Sequence, residues 1–376
     1  MSYITDQQLT RALTLPDLTD PGYGAHCMQR LVADAAQALT KRWACGALVH
    51  RASRIVSIAD NYDALGYATD AAARDRRYTR YVDAMRMLRA HTSAAIPSAL
   101  RALAAAPPTD VLVCVPGLAY RRDAIDRLHV GEPHQLDLWR LTAATMTEDD
   151  LDAMIAAVVD ALLPGAQHRA RAVTHPYTRH GREVEVRVGD DWVELLECGL
   201  THPDVLARAG LGRHHGLAMG IGLDRAVMLR KGVEDIRLLR SLDPRVSGQM
   251  HDLAPYQVVS SQPPARRDVS VACPAGWTDE DLGDRVRAAL GEAASEWIEE
   301  VAVISRTPAA RLPAAARERL GIAPDQENLL VRVVLRHPTR SLAKAEGNAL
   351  RDRVYAALHH GASSHTIAPS TTASRP

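Results

Sequence analysis

Val184-Glu185-Val186-Arg187-Val188 alternates apolar and charged residues without a break. Gly189-Asp190-Asp191 interrupts it, and Trp192-Val193-Glu194-Leu195-Leu196-Glu197-Cys198 follows. Alternation with period two on either side of a Gly-Asp break is the pattern of a β-hairpin. Strict alternation would put Trp192, Glu194, Leu196 and Cys198 on one face. Further on, Gly216-Leu217-Ala218-Met219-Gly220-Ile221-Gly222 runs directly into Leu223 to Lys231, whose Leu223, Val227 and Leu229 suit a helix. Strand, glycine turn and helix in that order make a site where phosphate can approach the backbone.

Upstream, Met28, Leu31, Val32, Ala35, Leu39 and Trp43 carry helical periodicity over residues 24–45. Asp70 to Arg80 is polar and predicts a loop, and an Ala-rich helix ends at Pro107-Pro108. Val111-Leu112-Val113-Cys114-Val115 is apolar but too short for a typical helix, which predicts a buried strand. Glu148 to Leu163 predicts a second helix, stopped by Pro164-Gly165. Downstream, Pro255, Pro263 and Pro264 lie among polar residues with no amphipathic period, marking a boundary. Beyond it, an apolar run at Val269 to Cys273, a helix at Asp279 to Ala294, a strand at Leu329 to Leu335 and a helix at Leu342 to Leu358 form a module the size of a small α+β sandwich. The expected division is a first domain over 1–251, a linker over 252–264, a second domain over 265–360 and a tail over 361–376. Rich in Ser, Thr, Ala and Pro, the tail is expected to be disordered.

Lysine plus arginine (45) equal aspartate plus glutamate (45), so net charge gives no global case for nucleic acid, although a local basic face stays open. The five cysteines, odd in number and widely spaced, form no metal-ligand pattern; a reduced, cytoplasmic setting is expected. No apolar run reaches the roughly 18 residues of a membrane helix. Asp6, Asp17 and Asp20 stand where a targeting peptide would be basic. Phenylalanine is absent, so every aromatic contact must come from Tyr, Trp or His.

Two strings could carry chemistry. In Tyr120-Arg121-Arg122-Asp123, an extended backbone would put Arg121 and Asp123 on one face, a guanidinium fork for polyphosphate beside a carboxylate that orients a nucleotide. A solvated charged turn fits the same short string. In Gly220-Ile221-Gly222-Leu223-Asp224-Arg225, the glycines permit close backbone approach and the arginine starts the helix. A plain helix N-terminus with a dipole-paired Asp224 fits equally.

Their order, and the residues between them, resemble the catalytic subunit of phenylalanyl-tRNA synthetase. The resemblance runs from Asn61-Tyr62-Asp63-Ala64-Leu65 through Leu88-Arg89-Ala90-His91-Thr92-Ser93 to Arg121–Asp126 with His129, His134 and Gln135. It continues over Glu194-Leu195-Leu196-Glu197-Cys198-Gly199, Gly220–Arg225 and Asp235-Ile236-Arg237. Pro264-Ala265-Arg266-Arg267-Asp268 and Arg340-Ser341-Leu342 resemble the family's ferredoxin-fold anticodon-binding domain. Core and module in one chain is the single-chain arrangement; the coiled-coil tRNA-binding arm has no counterpart.

That resemblance implies an α+β fold: a class II aminoacyl-tRNA synthetase antiparallel sheet of six to seven strands flanked by helices, plus a C-terminal ferredoxin-like domain. It implies activation of an amino acid with ATP and Mg²⁺. Arg121 would hold the α-phosphate and the substrate carboxylate, and Arg225 the terminal phosphates. Asp123 and His129 would orient ATP, Gly222 would let it approach, and Glu194 would bind Mg²⁺. His91, Ser93 and Gln135 would hold the amino acid's own amino and carboxyl groups.

The pattern also breaks. Where the resemblance puts two pocket phenylalanines, this chain has Leu217 and Met219. Asp137 replaces a longer glutamate, Pro133 a phenylalanine, and Ala94-Ala95 a glutamine and an arginine. Glu197 replaces a glycine, and an acid there could recruit a cation or an amine. These changes imply an amino acid other than phenylalanine and a likeness to ligase paralogues of unknown substrate. A genuine single-chain phenylalanine–tRNA ligase and a catalytically silent tRNA-binding protein are the alternatives. The second domain's Arg266, Arg267, Arg332, Arg336, Arg340, Arg351 and Arg353 could face RNA or be ordinary surface. Monomer and dimer both remain open.

Overall fold

Strands form at β1 (Gly46–Val49), β2 (Ile55–Ser57), β3 (Arg86–Leu88), β4 (Asp110–Leu118), β5 (His134–Thr142), β6 (His168–Ala172), β7 (Thr178–Val188), β8 (Asp191–Thr201) and β9 (His215–Gly222). The last three are β10 (Ala265–Pro274), β11 (Ile298–Pro308) and β12 (Gln326–Leu335). The computed structural model describes residues 3–122, 126–259 and 262–363. It divides into one unit of Met1–Arg121 with Gly131–Gln257 and another of Arg122–Val130 with Val258–Pro376.

The first unit is built on a seven-stranded sheet ordered β1-β4-β5-β9-β8-β7-β6. Every neighbouring pair is antiparallel except β1 on β4, which is parallel, so the expected antiparallel sheet carries one parallel edge. The Gly-rich segment is not a turn. It is the central strand β9, and its glycines look like a turn in sequence because they strip side chains from one face of a strand otherwise built of Leu217, Met219 and Ile221.

Period two holds along β5 and β9 and fails in β8. Glu185 pairs with Glu194 while Val184 pairs with Leu196, which leaves Leu195 as an extra residue in a bulge. Leu195 and Leu196 are both buried, and the alternation resumes in the opposite phase. Glu194 therefore shares a face with Glu197, and Leu196 and Cys198 turn to the other side, contrary to strict alternation.

On that other side the helices Cys27–Trp43 and Glu148–Leu162 pack together, offering Met28, Leu31 and Leu39 from one and Leu151, Met154 and Val158 from the other. The second helix starts in a capping box: Thr147 accepts from the Asp150 amide and the Asp150 carboxylate accepts from the Thr147 amide. The opposite face is covered over only part of its area. Val113, Val115, Trp139, Leu141 and Ala218 are sealed by Ile96, Ala99 and Leu100 of the helix Ile96–Ala104 and by Val205, Leu206 and Leu211. Burial of this order is worth about 25 cal/mol per Å² of apolar surface.

The second unit has the three-stranded antiparallel sheet β10-β12-β11 with helices Asp279–Ser295 and Lys344–Leu358. Its core is built from Val269, Val271, Leu282, Val286, Leu329, Val331, Leu350 and Val354. The chain order is strand, helix, two strands and helix, with an extra short helix at Ala314–Leu320 between the second and third strands. Among the described residues this is the ferredoxin-like pattern short of its final strand. Residues 364–376 of the expected tail lie outside the described residues.

Candidate functional site

Residues in register across the sheet form rows. One row runs Glu183, Glu197, Gly220, Asp137 and Val115 across five adjacent strands. The flanking rows on the same face bring Gly222 beside Gln135, and Gly199 and Ala218 beside Trp139. Leu217 and Met219 alternate with these residues. They point to the far side of the sheet, fully buried beside Arg140 and Leu138, and do not line this face. This corrects the expectation that they line a substrate pocket: the side-chain period of a strand sends Gly216, Ala218 and Gly220 to one surface and their neighbours to the other.

At the edge of the apolar cover lies a polar cluster. Asp137 is 3% exposed. Its carboxylate accepts from Thr92 Oγ1 at 2.5 Å and Trp139 Nε1 at 3.1 Å, and Ser93 lies beside it. Burial pushes its pKa up despite these donors. Gln135 Oε1 accepts from the Thr92 amide at 3.2 Å. Asn61 Oδ1 accepts from the Ala90 amide, so its Nδ2 faces His91 Nε2, 3.4 Å away. That makes Nε2 the acceptor and leaves the proton on Nδ1. His91 Nδ1 has no partner among the described residues, and burial with the nearby Arg121 charge drives this imidazole's pKa down to about 3. A neutral ring with one unspent N–H donor suits a carboxylate or carbonyl oxygen.

Arg121 follows β4. Its Nε donates to Ala90 O at 2.8 Å, and its own carbonyl accepts from Arg80, which pairs with Glu132. Arg225 stands in the first turn of the helix Leu223–Lys231 and donates from Nη1 to Glu194 O at 3.0 Å, with the Glu194 carboxylate at 3.5 Å. Burial raises the pKa of half-buried Glu194, and the charges of Arg225 and of Arg121 both oppose that rise, so the two guanidiniums bear on one carboxylate. Beside them the sheet is bare: a Cβ at Gly220 would meet nothing within 4 Å, and one at Gly222 only Arg225 Cβ at 3.9 Å. His129 is held by Asp126, Nδ1 to Oδ2 at 2.8 Å, in the segment Arg122–Val130 that belongs to the second unit. Asp123 lies outside the described residues.

Sequence reading missed the aromatic wall. Tyr67 stacks on His91 with centroids 5.9 Å apart, and Tyr177 stacks on Trp139 at 5.9 Å and on His175 at 5.5 Å. Burial raises both phenol pKa values, and Asp137, Glu197 and Arg121 act on each ring. Neither hydroxyl has a hydrogen-bond partner among the described residues. Tyr67, His175 and Tyr177 sit in no motif. The absence of phenylalanine was the available signal, because it required any aromatic lining to be Tyr, Trp or His.

Also missed was the brace beneath Arg225. His134 is fully buried; its Nε2 accepts from the Leu18 amide at 3.0 Å, so Nδ1 carries the proton and donates to Asp224 Oδ1 at 3.1 Å. Burial works against the charged form of Asp224, but His134 and Arg240 outweigh it and hold the pKa below the usual range. The pair ties β5 to the helix that presents Arg225.

In the second unit, four of the seven arginines considered for RNA are ion-paired: Arg332 with Asp268, Arg336 with Glu299, Arg340 with Glu346 and Arg351 with Asp352. Among the described residues no helix is long and apolar enough to cross a membrane.

Residues 20–250 match the family model of tRNA synthetases class II core domain (F). The chain belongs to that family. Among curated proteins it is similar to a phenylalanine–tRNA ligase alpha subunit of Prochlorococcus marinus, 35% identical over 49% of this chain and 54% of the relative. It is also similar to a chloroplastic/mitochondrial phenylalanine–tRNA ligase of Arabidopsis thaliana, 28% identical over 80% of this chain and 68% of the relative. The chain thus spans about half the length of the first of these relatives. A solved pyrrolysyl-tRNA synthetase of Desulfitobacterium hafniense aligns at a TM-score of 0.45 and 20% identity, covering 63% of this chain and 78% of that one.

Proposed function

We propose that the protein is an ATP-dependent ligase that activates an amino acid other than phenylalanine as its adenylate and passes the acyl group to tRNA or another acceptor. The observation that carries this reading is the contact of Arg225 with Glu194 beside the uncovered glycines of β9. In the activation step a substrate carboxylate oxygen attacks the α-phosphorus, and the bond to the oxygen bridging the α- and β-phosphates breaks as pyrophosphate leaves. The protein needs to supply alignment and charge neutralisation rather than a covalent partner. Arg121 neutralises the α-phosphate and the incoming carboxylate, and Arg225 the terminal phosphates. His91 Nδ1–H and Gln135 orient the carboxylate, and Asp137 and Ser93 the ammonium group.

Mg²⁺ fits the donor set. It binds through one or two carboxylates plus substrate phosphates rather than a protein cage. Glu194 offers one half-exposed carboxylate beside Arg225, and no group of three or more candidate ligands exists among the described residues. When bound, the ion would neutralise phosphate charge.

The reading against phenylalanine now rests on Glu197, His175 and the two unpartnered phenols, not on Leu217 and Met219. A phenylalanine-specific enzyme is the second reading, favoured by the names of the relatives. ATP–pyrophosphate exchange over a panel of amino acids, with Arg225→Ala as control, tests both. Exchange that survives the control unchanged would sink the assignment of the site.

A further inference from the structure

We propose that the activated amino acid carries a cationic side chain, with Glu197 as its recognition residue; this rests on the ligase reading above. Glu197 stands on the row of Asp137, separated from it by Gly220 alone. Adjacent strands lie about 4.8 Å apart, so the two backbones are about 10 Å apart, and the space over Gly220 is open. A diamino acid spans such a gap with an ammonium group at each end.

The two acids differ in what they have to spare. Asp137 is buried and already takes donors from Thr92, Ser93 and Trp139, which leaves it room for the α-ammonium group alone. The Glu197 side chain is 42% exposed, and among the described residues its ion-pair neighbour is His175 Nε2, 3.2 Å away. His175 helps to keep this carboxylate ionised, and one such neighbour leaves other oxygen lone pairs available. The Tyr67 and Tyr177 rings flank the same space, and a cation gains from π-faces as well as from a carboxylate. An uncharged aromatic side chain would offer nothing to the spare lone pairs of Glu197 or to the two phenols. An acidic side chain would meet Glu197 directly. Arg121, the nearby cation, is engaged by carboxylate and phosphate during activation, so it does not repel the substrate's far end.

The experiment measures pyrophosphate exchange with lysine, ornithine, arginine, leucine and phenylalanine on the full chain, for wild type and for Glu197→Gln. Binding of a non-hydrolysable ATP analogue to wild type and to Arg225→Ala is measured in parallel. A cationic amino acid should support exchange, and the isosteric neutral variant should raise its KM by about 10- to 100-fold with kcat within about twofold, the loss expected for one charge-assisted bond. A matching melting temperature for Glu197→Gln separates this from misfolding. Preference for phenylalanine or leucine, or a cationic KM unmoved in Glu197→Gln, overturns the proposal while the ligase reading stands. Exchange with none of the five overturns it too; nucleotide binding that depends on Arg225 then shows that the site reading survives, and its absence shows that both fail.

Discussion

Arg225 and Glu194 are joined twice, guanidinium to backbone oxygen and guanidinium to carboxylate, across the first turn of a helix and the strand next to β9. The acid expected to hold a metal and the cation expected to hold terminal phosphates are therefore one preassembled unit. Of these two joints the guanidinium–carboxylate contact, at 3.5 Å, is the weaker and the one for which an incoming phosphate would compete.

Arg225→Ala should lower the exchange rate about 100- to 1,000-fold, the loss typical of removing a preorganised charge from the reacting phosphates. Its side chain is partly exposed, so the melting temperature should hold. Arg225→Lys should recover only part of the rate, since an ammonium group cannot make the bidentate fork. Steady-state exchange on the three proteins checks this.

Glycines separate ligand space from packing. Gly220→Ala adds a methyl that meets no protein atom, so it should fold with unchanged stability and still raise the KM for substrate about tenfold or more. Gly199→Ala puts a Cβ 2.7 Å from Thr178 Cβ and should cost about 1–3 kcal/mol of stability. Thermal melts paired with kinetics distinguish the two; equal destabilisation would mean the space over Gly220 is filled.

Met219→Ala should destabilise by about 2–5 kcal/mol while leaving the amino-acid KM of the folded protein unchanged, because the side chain fills the core behind the sheet. A selective change in KM with little loss of stability would return Met219 to the pocket.

Stability should decline in mild acid. Buried His26 titrates near 4, against 6.5 for the free side chain, because burial penalises its charged form. The unfolded chain therefore takes up that proton first. Stability is full above about pH 6.5 and is lost as pH falls toward 4, by at most about 3 kcal/mol. His91, also depressed, acts in the same direction. His26→Asn keeps an acceptor for the Met28 amide at the helix start and should flatten part of this slope in urea titrations from pH 7 to 4.

The hairpin, both flanking helices and the second unit's outer strand β10, strand β12 and two long helices were legible because each buries a periodic apolar set, and periodicity is what a chain displays locally. The motifs located Arg121, Arg225, Glu194 and the His91–Ser93 segment. The strands β5 and β11 went unread, and three further features were hidden. The bulge at Leu195 depends on pairing with β7, which no local pattern encodes. The strand identity of 215–222 was hidden because glycine carries no periodic signal. Tyr67 lies far along the chain from His175 and Tyr177, and only the fold brings its ring to theirs.

The extra residue at Leu195 determines which mutations this surface can survive. Substituting either acid of β8 trims one interaction, but deleting a single residue between them would reverse part of the strand, forcing a charged side chain under the helices or a leucine into the nucleotide's place. Length, more than composition, is the inflexible quantity in this segment, and natural variants should exchange its letters far more readily than they lose one.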